Sequence, residues 1–151
     1  MDYEINRDTL AILPIDHNKS KVIEVDNEYV CDINPYQIME HSCEYFGSSL
    51  DGRLKGSKNM LGSVYKAPIL VEETKNIIFF PTCSPLIVDN AWISLNNILK
   101  CEKDDCKTKI YFKNGRSITI DIPYLSIENQ ILRSSKLDYI VRKRKNMEKN
   151  D

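Results

Sequence analysis

The stretch Lys107–Ile122, KTKIYFKNGRSITIDI, decides most of the predicted fold. Apolar and polar residues alternate in both of its halves, which is the pattern of strands with one buried face. Ile110 and Phe112 fall on one face of the first half, and the lysines fall on the other. Asn114-Gly115 between the halves is the strongest short signal for a type I′ hairpin turn. The stretch therefore predicts an antiparallel hairpin whose apolar face covers a core.

Short apolar runs on the N-terminal side of this hairpin predict further strands. Two of them flank Asp26-Asn27 closely enough to form a second hairpin. Pro14 lies inside the first run and cannot donate a ladder hydrogen bond, so we expect it at a sheet edge or at the end of its strand. The runs are Leu10–Ile15, Lys21–Val25, Glu28–Asp32, Ala67–Val71, Asn76–Pro81 and Ala91–Leu95.

A mid-chain helix is predicted over residues 35–46. Asn34 is a favourable N-cap residue, and Pro35 suits the first helical position. Gly47 can end the helix in a left-handed conformation. One apolar stripe follows helical spacing and is expected to face the core, and its members are Tyr36, Met39, Cys43 and Phe46.

A C-terminal helix is predicted over residues 126–143, with Ser126 as its cap after Pro123. A charged tail, residues 141–151, is expected to fray. The length of 151 residues suits one domain, which we place at 1–140. The elements together predict an α+β fold, with a mostly antiparallel sheet beside the mid-chain and C-terminal helices.

The net charge of −1 hides a strong asymmetry along the chain. Residues 1–46 carry a charge of −7 and residues 67–106 carry −3, whereas residues 47–66 carry +3 and residues 107–151 carry +6. Two basic segments that folded onto one face would attract phosphates. The alternative is that these charges only solvate the surface.

Several classes of protein do not fit the sequence. No apolar run approaches the roughly 20 residues of a membrane span, and the acidic N-terminus is unlike a signal peptide, so we expect a cytoplasmic protein without membrane contact. The five cysteines are scattered and form no CxxC pair, so neither a disulfide framework nor a metal site is expected.

Catalytic patterns are missing as well. The two histidines, His17 and His41, belong to no Ser–His–Asp or HExxH arrangement. The segment Gly47–Arg53, GSSLDGR, has the glycines of a phosphate-binding loop but lacks its lysine and the following Ser or Thr. We therefore expect no enzyme and no cofactor, and a small nuclease ranks third among the functional hypotheses.

Four of the five glycines cluster between Gly47 and Gly62. This clustering predicts a specialised loop with one short helix around residues 55–61. Exposed N–H groups in its turns could hold phosphates together with two hydroxyls and three cations, which belong to Ser48, Ser49, Arg53, Lys55 and Lys58. A helix cap followed by turns with solvated lysines is the plainer interpretation.

Residues 45–53, YFGSSLDGR, followed by residues 66–69, KAPI, resemble the central signature of the ComK family of bacterial competence transcription factors. Each piece is short, but the ordered series from Tyr3 to about Leu137 is specific. The remaining matches, in chain order, are Tyr3–Asn6, Leu10–Pro14, Phe79–Thr82, Ser84-Pro85, Trp92–Ser94, Phe112–Gly115 and Glu128–Gln130.

The resemblance implies a DNA-binding activator of the genes for DNA uptake and transformation. Family members bind paired A·T-rich boxes cooperatively as multimers, largely through the minor groove, and activate their own promoter. The resemblance therefore implies double-stranded A·T-rich DNA and further copies of the chain as partners, with RNA polymerase as a candidate. The chain ends at RKRKNMEKND without the aromatic-aliphatic motif by which a protease adaptor binds longer family members, so adaptor recognition is not carried over.

We predict DNA contacts from the glycine segment, the hairpin and the last helix. Arg53 is the strongest choice, because it lies inside the signature and between two glycines. The alternative hypothesis is a protein-interaction module that regulates a competence activator without binding DNA, through the acidic N-terminal third. The predicted contact residues are Ser48, Ser49, Arg53, Lys55, Lys58, Lys113, Arg116 and Arg133.

Overall fold

The structure, a computed structural model, describes residues 2–62, 65–84 and 89–149. Pro85 of the family-like series and the last two residues of the charged tail lie outside these ranges. The strands within them are β1 (Thr9–Asp16), β2 (Lys19–Glu24), β3 (Glu28–Cys31), β4 (Ile69–Glu72), β5 (Ile77–Pro81), β6 (Trp92–Ser94), β7 (Ile98–Asp104), β8 (Lys107–Phe112) and β9 (Ser117–Ile120). The helices are α1 (Pro35–Tyr45), α2 (Leu50–Leu61) and α3 (Tyr124–Lys149), and a short 3₁₀ helix spans Leu95–Asn97.

The strands form two sheets. Six of them lie in the order β3-β2-β1-β6-β5-β4, and the other three form a meander in the order β7-β8-β9. Every strand pair in both sheets is antiparallel. The predicted α+β class, with a mid-chain and a C-terminal helix beside antiparallel sheet, is confirmed.

The six-stranded sheet is buried on both faces, which explains its nearly continuous apolar runs. One face carries Ile12, Phe79 and Trp92, and it packs with the buried side chains of α1 and α2. The other face carries Phe80 and Ile93, which pack against β8, β9 and the start of α3. The molecule is therefore layered, with the six-stranded sheet in the middle.

The predicted hairpin across Asp26-Asn27 is formed by β2 and β3. Strand β1 lies inside the sheet, where β6 pairs only with Ala11 and Ile12. Pro14 lies beyond that pairing and faces only Ser20 of β2, so no ladder bond from Pro14 is needed on the β6 side. Pro14 therefore lies two residues before the end of β1, on a stretch of the strand that is paired on one side only.

The hairpin of β8 and β9 forms as predicted, but its turn differs from a type I′ turn. Phe112 donates its N–H to the carbonyl of Arg116 at 2.8 Å, which leaves three residues in the loop. Gly115 has a positive φ of 93°, and Asn114 does not have one. The side chain of Asn114 instead donates to the carbonyl of Val25 at 2.9 Å. A three-residue loop with a left-handed glycine is the next commonest hairpin connection, and here a tertiary contact accompanies it.

Helix α1 begins at the predicted cap. The Asn34 side chain accepts from the Gln37 N–H at 2.9 Å, and the Gln37 side chain accepts from the Asn34 N–H at 3.0 Å, which completes a capping box. Met39 and Cys43 of the predicted stripe are fully buried, and the other two stripe residues pack against the same core from its margin.

The other two helices are longer than predicted. The glycine segment is mostly helical, because α2 covers Leu50–Leu61 and only its two ends turn. Leu50, Leu54 and Ser57 are spaced to bury one face, which outweighs the cost of two helical glycines. Helix α3 begins at Tyr124 and continues to Lys149, into the segment we assigned to a charged tail.

Candidate nucleic-acid interface

The glycine segment begins with a tight reversal between α1 and α2. Gly47 has a φ of 83° and donates its N–H to Glu44 at 2.9 Å, and Ser48 donates its N–H to Cys43 at 2.9 Å. These bonds close the last turn of α1, as glycine does at many helix ends. The Ser48 N–H is therefore occupied, and the residue lines a groove beside Arg53.

Ser49, a predicted phosphate contact, is the N-cap of α2. Its hydroxyl accepts the Gly52 N–H at 3.0 Å. A Cβ atom added at Gly52 would lie 2.9 Å from this hydroxyl oxygen, so the residue at position 52 has to be small for the cap to close. The hydroxyl of Ser49 thus has a structural role before any ligand is considered.

Arg53, the strongest predicted contact, turns toward the β4–β5 turn. Its Nη1 donates to Oε1 of Glu73 at 2.9 Å, and its side chain is only 19% exposed. The Nε atom is buried without a hydrogen-bond partner among the described residues. Arg53 therefore ties α2 to the edge of the six-stranded sheet.

The groove beside Arg53 does not suit an anion. It has a volume of about 410 Å³ and is lined by the α1–α2 reversal and by Glu72, Glu73 and Thr74. Burial favours a higher pKa for the Glu72 carboxyl, but hydrogen bonds from the Thr74 hydroxyl and from the N–H groups of Lys75 and Thr74 outweigh it and hold the pKa below its ordinary value. The carboxylate is thus charged at neutral pH and would repel a phosphate.

Lys55 and Lys58 project from the solvent face of α2. Lys55 forms an ion pair with Asp51 one turn earlier at 3.0 Å, and both side chains are 78% exposed. Such an exposed pair is worth little and opens easily when a stronger anion arrives. Lys58 is exposed as well. Both lysines are placed to meet a ligand from solution.

Helix α3 lies beside α2 and adds cations of its own. Met60 and Leu61 at the end of α2 pack against the cluster that contains Leu137 and Val141 of α3.

Arg133 projects from the same flank, where it donates to the Tyr65 carbonyl at 3.4 Å. Lys136 is three residues beyond Arg133, and Arg144 is seven beyond Leu137, so helical spacing places both near this flank. We call Lys55, Lys58, Arg133, Lys136 and Arg144 the helical cation surface.

A neutral residue, Gln130, connects α3 to the six-stranded sheet. The Gln130 side chain, almost fully buried, donates to the carbonyls of Pro81 at 2.6 Å and Lys66 at 2.9 Å. Arg133 donates to the Gln130 side-chain oxygen at 2.9 Å and so orients the amide. Gln130 therefore joins α3 to β5 and to the segment that enters β4.

The two predicted contacts from the hairpin lie elsewhere. Arg116 donates to the carbonyls of Glu24 at 2.9 Å and Asn27 at 3.2 Å, and it forms an ion pair with Glu28 at 2.6 Å. These partners lie around the β2–β3 turn, and β3 is the opposite edge of the sheet from β4. Lys113 beside it is exposed. The structure thus separates the predicted contacts into a group on the helices and a pair on the hairpin.

Lys136 and Arg144 were missing from the predicted contacts. For Arg144 the reason is the assignment of the chain end to a frayed tail, which removed it from the helical spacing that relates it to Leu137. Lys136 lies inside the predicted helix, but its spacing from Arg133 was not used. Continuing the helix through residues 142–145, RKRK, would have revealed the relation, since these residues have good helix propensity.

The described residues offer little else of a chemical kind. They bring together no group of three His, Cys, Asp or Glu side chains that could hold a metal ion. All five cysteines are free thiols, and burial raises the pKa of Cys43 to about 12 and that of Cys101 to about 11. Among the described helices, none is long and apolar enough to cross a membrane.

The fold and the signature around α2 define the class of protein. The chain belongs to the ComK protein family, whose model matches residues 1–146. The resemblance inferred from the sequence is confirmed.

One curated relative is the competence transcription factor of Bacillus subtilis (strain 168). It is 36% identical over 139 residues, which cover 88% of this chain and 71% of the relative. The chain is therefore a homologue of a competence transcription factor. No solved structure matches it.

Proposed function

We propose that this protein is a DNA-binding transcriptional activator of competence genes. It acts in the cytoplasm without catalysing a reaction, and its DNA-binding domain spans residues 1–140. It binds A·T-rich boxes as a homo-oligomer, largely through the minor groove, and activates its own promoter. RNA polymerase is the partner that activation implies.

The observation that carries the proposal is the helical cation surface. Its five cations lie on two helices that pack side by side, and the ion pair of Lys55 with Asp51 is exposed to solvent. Lysine and arginine in such an arrangement release counterions from DNA when they neutralise phosphates. Narrow A·T-rich minor grooves concentrate negative potential and favour these side chains further.

The test is a salt titration of the purified protein on A·T-rich and G·C-rich duplexes of equal length. We expect tighter binding to the A·T-rich duplex and a steep fall of affinity with salt. The double variant Lys55→Ala/Lys58→Ala is expected to reduce the slope of log K against log salt by about 2. Lys103→Ala, an exposed lysine of the β7–β8 hairpin, is the matched control and leaves the slope unchanged.

Arg53 needs a separate test, because Glu73 already binds it. If Arg53 contacts DNA, Arg53→Ala weakens binding and flattens its salt dependence, while Glu73→Gln leaves affinity equal or higher. If Arg53 only positions α2, the two variants lower affinity to the same degree and leave the slope intact. Binding that is weak and indifferent to both sequence and salt would overturn the DNA-binding proposal.

The second candidate function is a protein-interaction module, which the acidic N-terminal third favours. Its test cannot use Glu24 or Glu28, because Glu24 is buried against Tyr3 and Glu28 holds Arg116. Charge reversal at exposed acids, Asp26, Asp32 and Glu44, keeps these contacts. This candidate function requires that such a variant loses activation while its binding to DNA stays unchanged.

A further inference from the structure

Helix α3 is apolar on two opposite sides. Ile127, Leu137 and Val141 face inward and are buried. The opposite side carries large apolar side chains that the described residues leave exposed. These are Leu125, Leu132, Tyr139 and Met147, with exposed fractions of 68%, 62%, 63% and 61%. We call these four the outer stripe.

The spacing of the outer stripe is regular. Leu125, Leu132 and Tyr139 are seven residues apart, so they drift by only about 20° per step around the helix. Leu132 lies five residues after Ile127, roughly half a turn from the buried face. The stripe runs about 33 Å along the axis at 1.5 Å per residue. Among the described residues of the monomer, α3 has no partner for this second apolar side.

The charges around the outer stripe differ between the two halves of α3. The exposed acid Glu128 lies in the first half, Lys136 lies at the middle, and Lys143 and Arg144 lie in the second half. A parallel second copy would set basic half against basic half. An antiparallel copy would set the basic half of each helix against the half that carries Glu128, so charge favours the antiparallel arrangement.

We propose that the outer stripe of α3 docks a second copy of this chain, with the two α3 helices antiparallel. A two-fold axis midway between Leu132 and Tyr139 places Leu132 of one copy opposite Tyr139 of the other. The same axis places Glu128 opposite Lys143 and Leu125 opposite Asn146. One patch meets itself, as closed dimers require. The inference deepens the proposed function and rests on it, since paired DNA boxes need two copies in one assembly.

The surface opposite Leu125 has a matching depression. A shallow groove of about 470 Å³ runs along the second half of α3, lined by Tyr139, Arg142, Lys143, Asn146 and Met147 among others. The ammonium of Lys143 lies 5.9 Å from the centre of the Tyr139 ring, so its stem follows the groove wall. A leucine from an antiparallel neighbour would enter this groove as a knob enters a hole.

The first test is the mass of the full chain in solution without DNA, measured by sedimentation over a range of protein concentrations. We expect a monomer–dimer equilibrium, and we expect Leu132→Glu to raise its dissociation constant by at least about tenfold. Leu99→Glu, an equally exposed leucine on β7, is the matched control and leaves the equilibrium unchanged. A wild-type chain that stays monomeric throughout would overturn the inference.

The second test is a charge exchange. Glu128→Lys alone places like charges together and weakens the dimer, and Lys143→Glu alone does the same. The double variant Glu128→Lys/Lys143→Glu restores the pair across the axis and should recover dimer formation. Recovery is specific to an antiparallel contact, since both residues lie on one helix and do not meet within a monomer. No recovery in a folded double variant contradicts the antiparallel arrangement.

DNA binding is measured separately on a duplex with a single box. A monomeric wild-type chain that binds this duplex overturns the docking inference and leaves the proposed function standing. A dimer that binds no DNA supports the docking and removes the proposed function. If the sedimentation of Leu132→Glu matches that of the wild type while its binding to the single box is lost, the outer stripe contacts DNA instead, and the docking inference fails.

Discussion

Different hydrogen bonds hold the two outer edges of the six-stranded sheet against the rest of the molecule. At the β4 edge the neutral amide of Gln130 binds two backbone carbonyls, and four of the five residues of the helical cation surface point to solvent. At the β3 edge Arg116 binds two backbone carbonyls and a carboxylate. The bonds of Gln130 therefore leave most of the cations at the β4 edge exposed, although Glu73 holds Arg53 there, whereas the bonds at the β3 edge occupy Arg116 itself. A count of charges along the sequence does not distinguish these situations.

We expect the largest loss of stability from removing the side chain of Gln130, which joins α3 to the β4 edge. Gln130→Ala leaves the carbonyls of Lys66 and Pro81 without their partner, so we expect the free energy of unfolding to fall by about 2–3 kcal/mol. Urea unfolding measures it. Asn129→Ala, one residue away and exposed, is the control and should change stability by at most about 0.5 kcal/mol. Equal stability of the two variants would contradict the role of Gln130.

Removing the side chain of Arg116 tests the β3 edge. Arg116→Ala loses two bonds to carbonyls and the ion pair with Glu28, so we expect stability to fall by about 2 kcal/mol. Its neighbour Lys113→Ala should change stability little, within about 0.5 kcal/mol. Salt titrations of the folded variants then decide the predicted DNA contacts. If Arg116 only fastens the edge, its variant keeps the wild-type slope, and a slope reduced by about 1 would make it a DNA contact.

The glycines of α2 offer a matched pair of substitutions. Gly52→Ala brings a methyl group within 2.9 Å of the Ser49 hydroxyl, so it should disturb the cap and destabilise the protein by about 1 kcal/mol. Gly56→Ala meets no atom within 4 Å and should stabilise the helix by about 0.5–1 kcal/mol. Thermal unfolding compares them. Opposite signs support the geometry of the cap, whereas two stabilising substitutions would contradict it.

The smallest effect is a pH dependence at the β4 edge. Because the pKa of Glu72 is lower in the folded protein than its ordinary value, its ionised form stabilises the fold above that ordinary value. This contribution is lost as the pH falls through the folded pKa. Glu72→Gln should therefore lower stability at neutral pH and reduce its loss on acidification. Parallel stability curves for the two proteins between neutral pH and pH 3 would contradict this assignment.

Local signals were sufficient for much of the fold. The capping box at Asn34, the burial of Met39 and Cys43, and both hairpins follow from patterns within a few residues of each other. Their physical basis is short-range: backbone geometry, capping and alternation of apolar side chains. The family resemblance likewise depended only on the order of short motifs, and the family match confirms it.

The candidate site was less predictable, because exposure depends on partners that are distant in the sequence. Arg53 and Arg116 are both near glycines, yet their acceptors are 20 and 88 or more residues away. The number of glycines also led us to predict too short a helix for α2, because burial of Leu50 and Leu54 against the sheet outweighs the poor helix propensity of glycine.

The sequence by itself determined the α+β class, the strands of the main hairpins, the start of α1 and the family. These features depend on interactions between residues that are close in the sequence, and such interactions form wherever the segment lies in the fold. Only the tertiary structure decided which cations remain exposed, the length of α2, and the exposure of the outer stripe of α3. A side chain's availability is set by what packs beside it, and those neighbours are brought together by the burial of the two sheets rather than by adjacency in the chain.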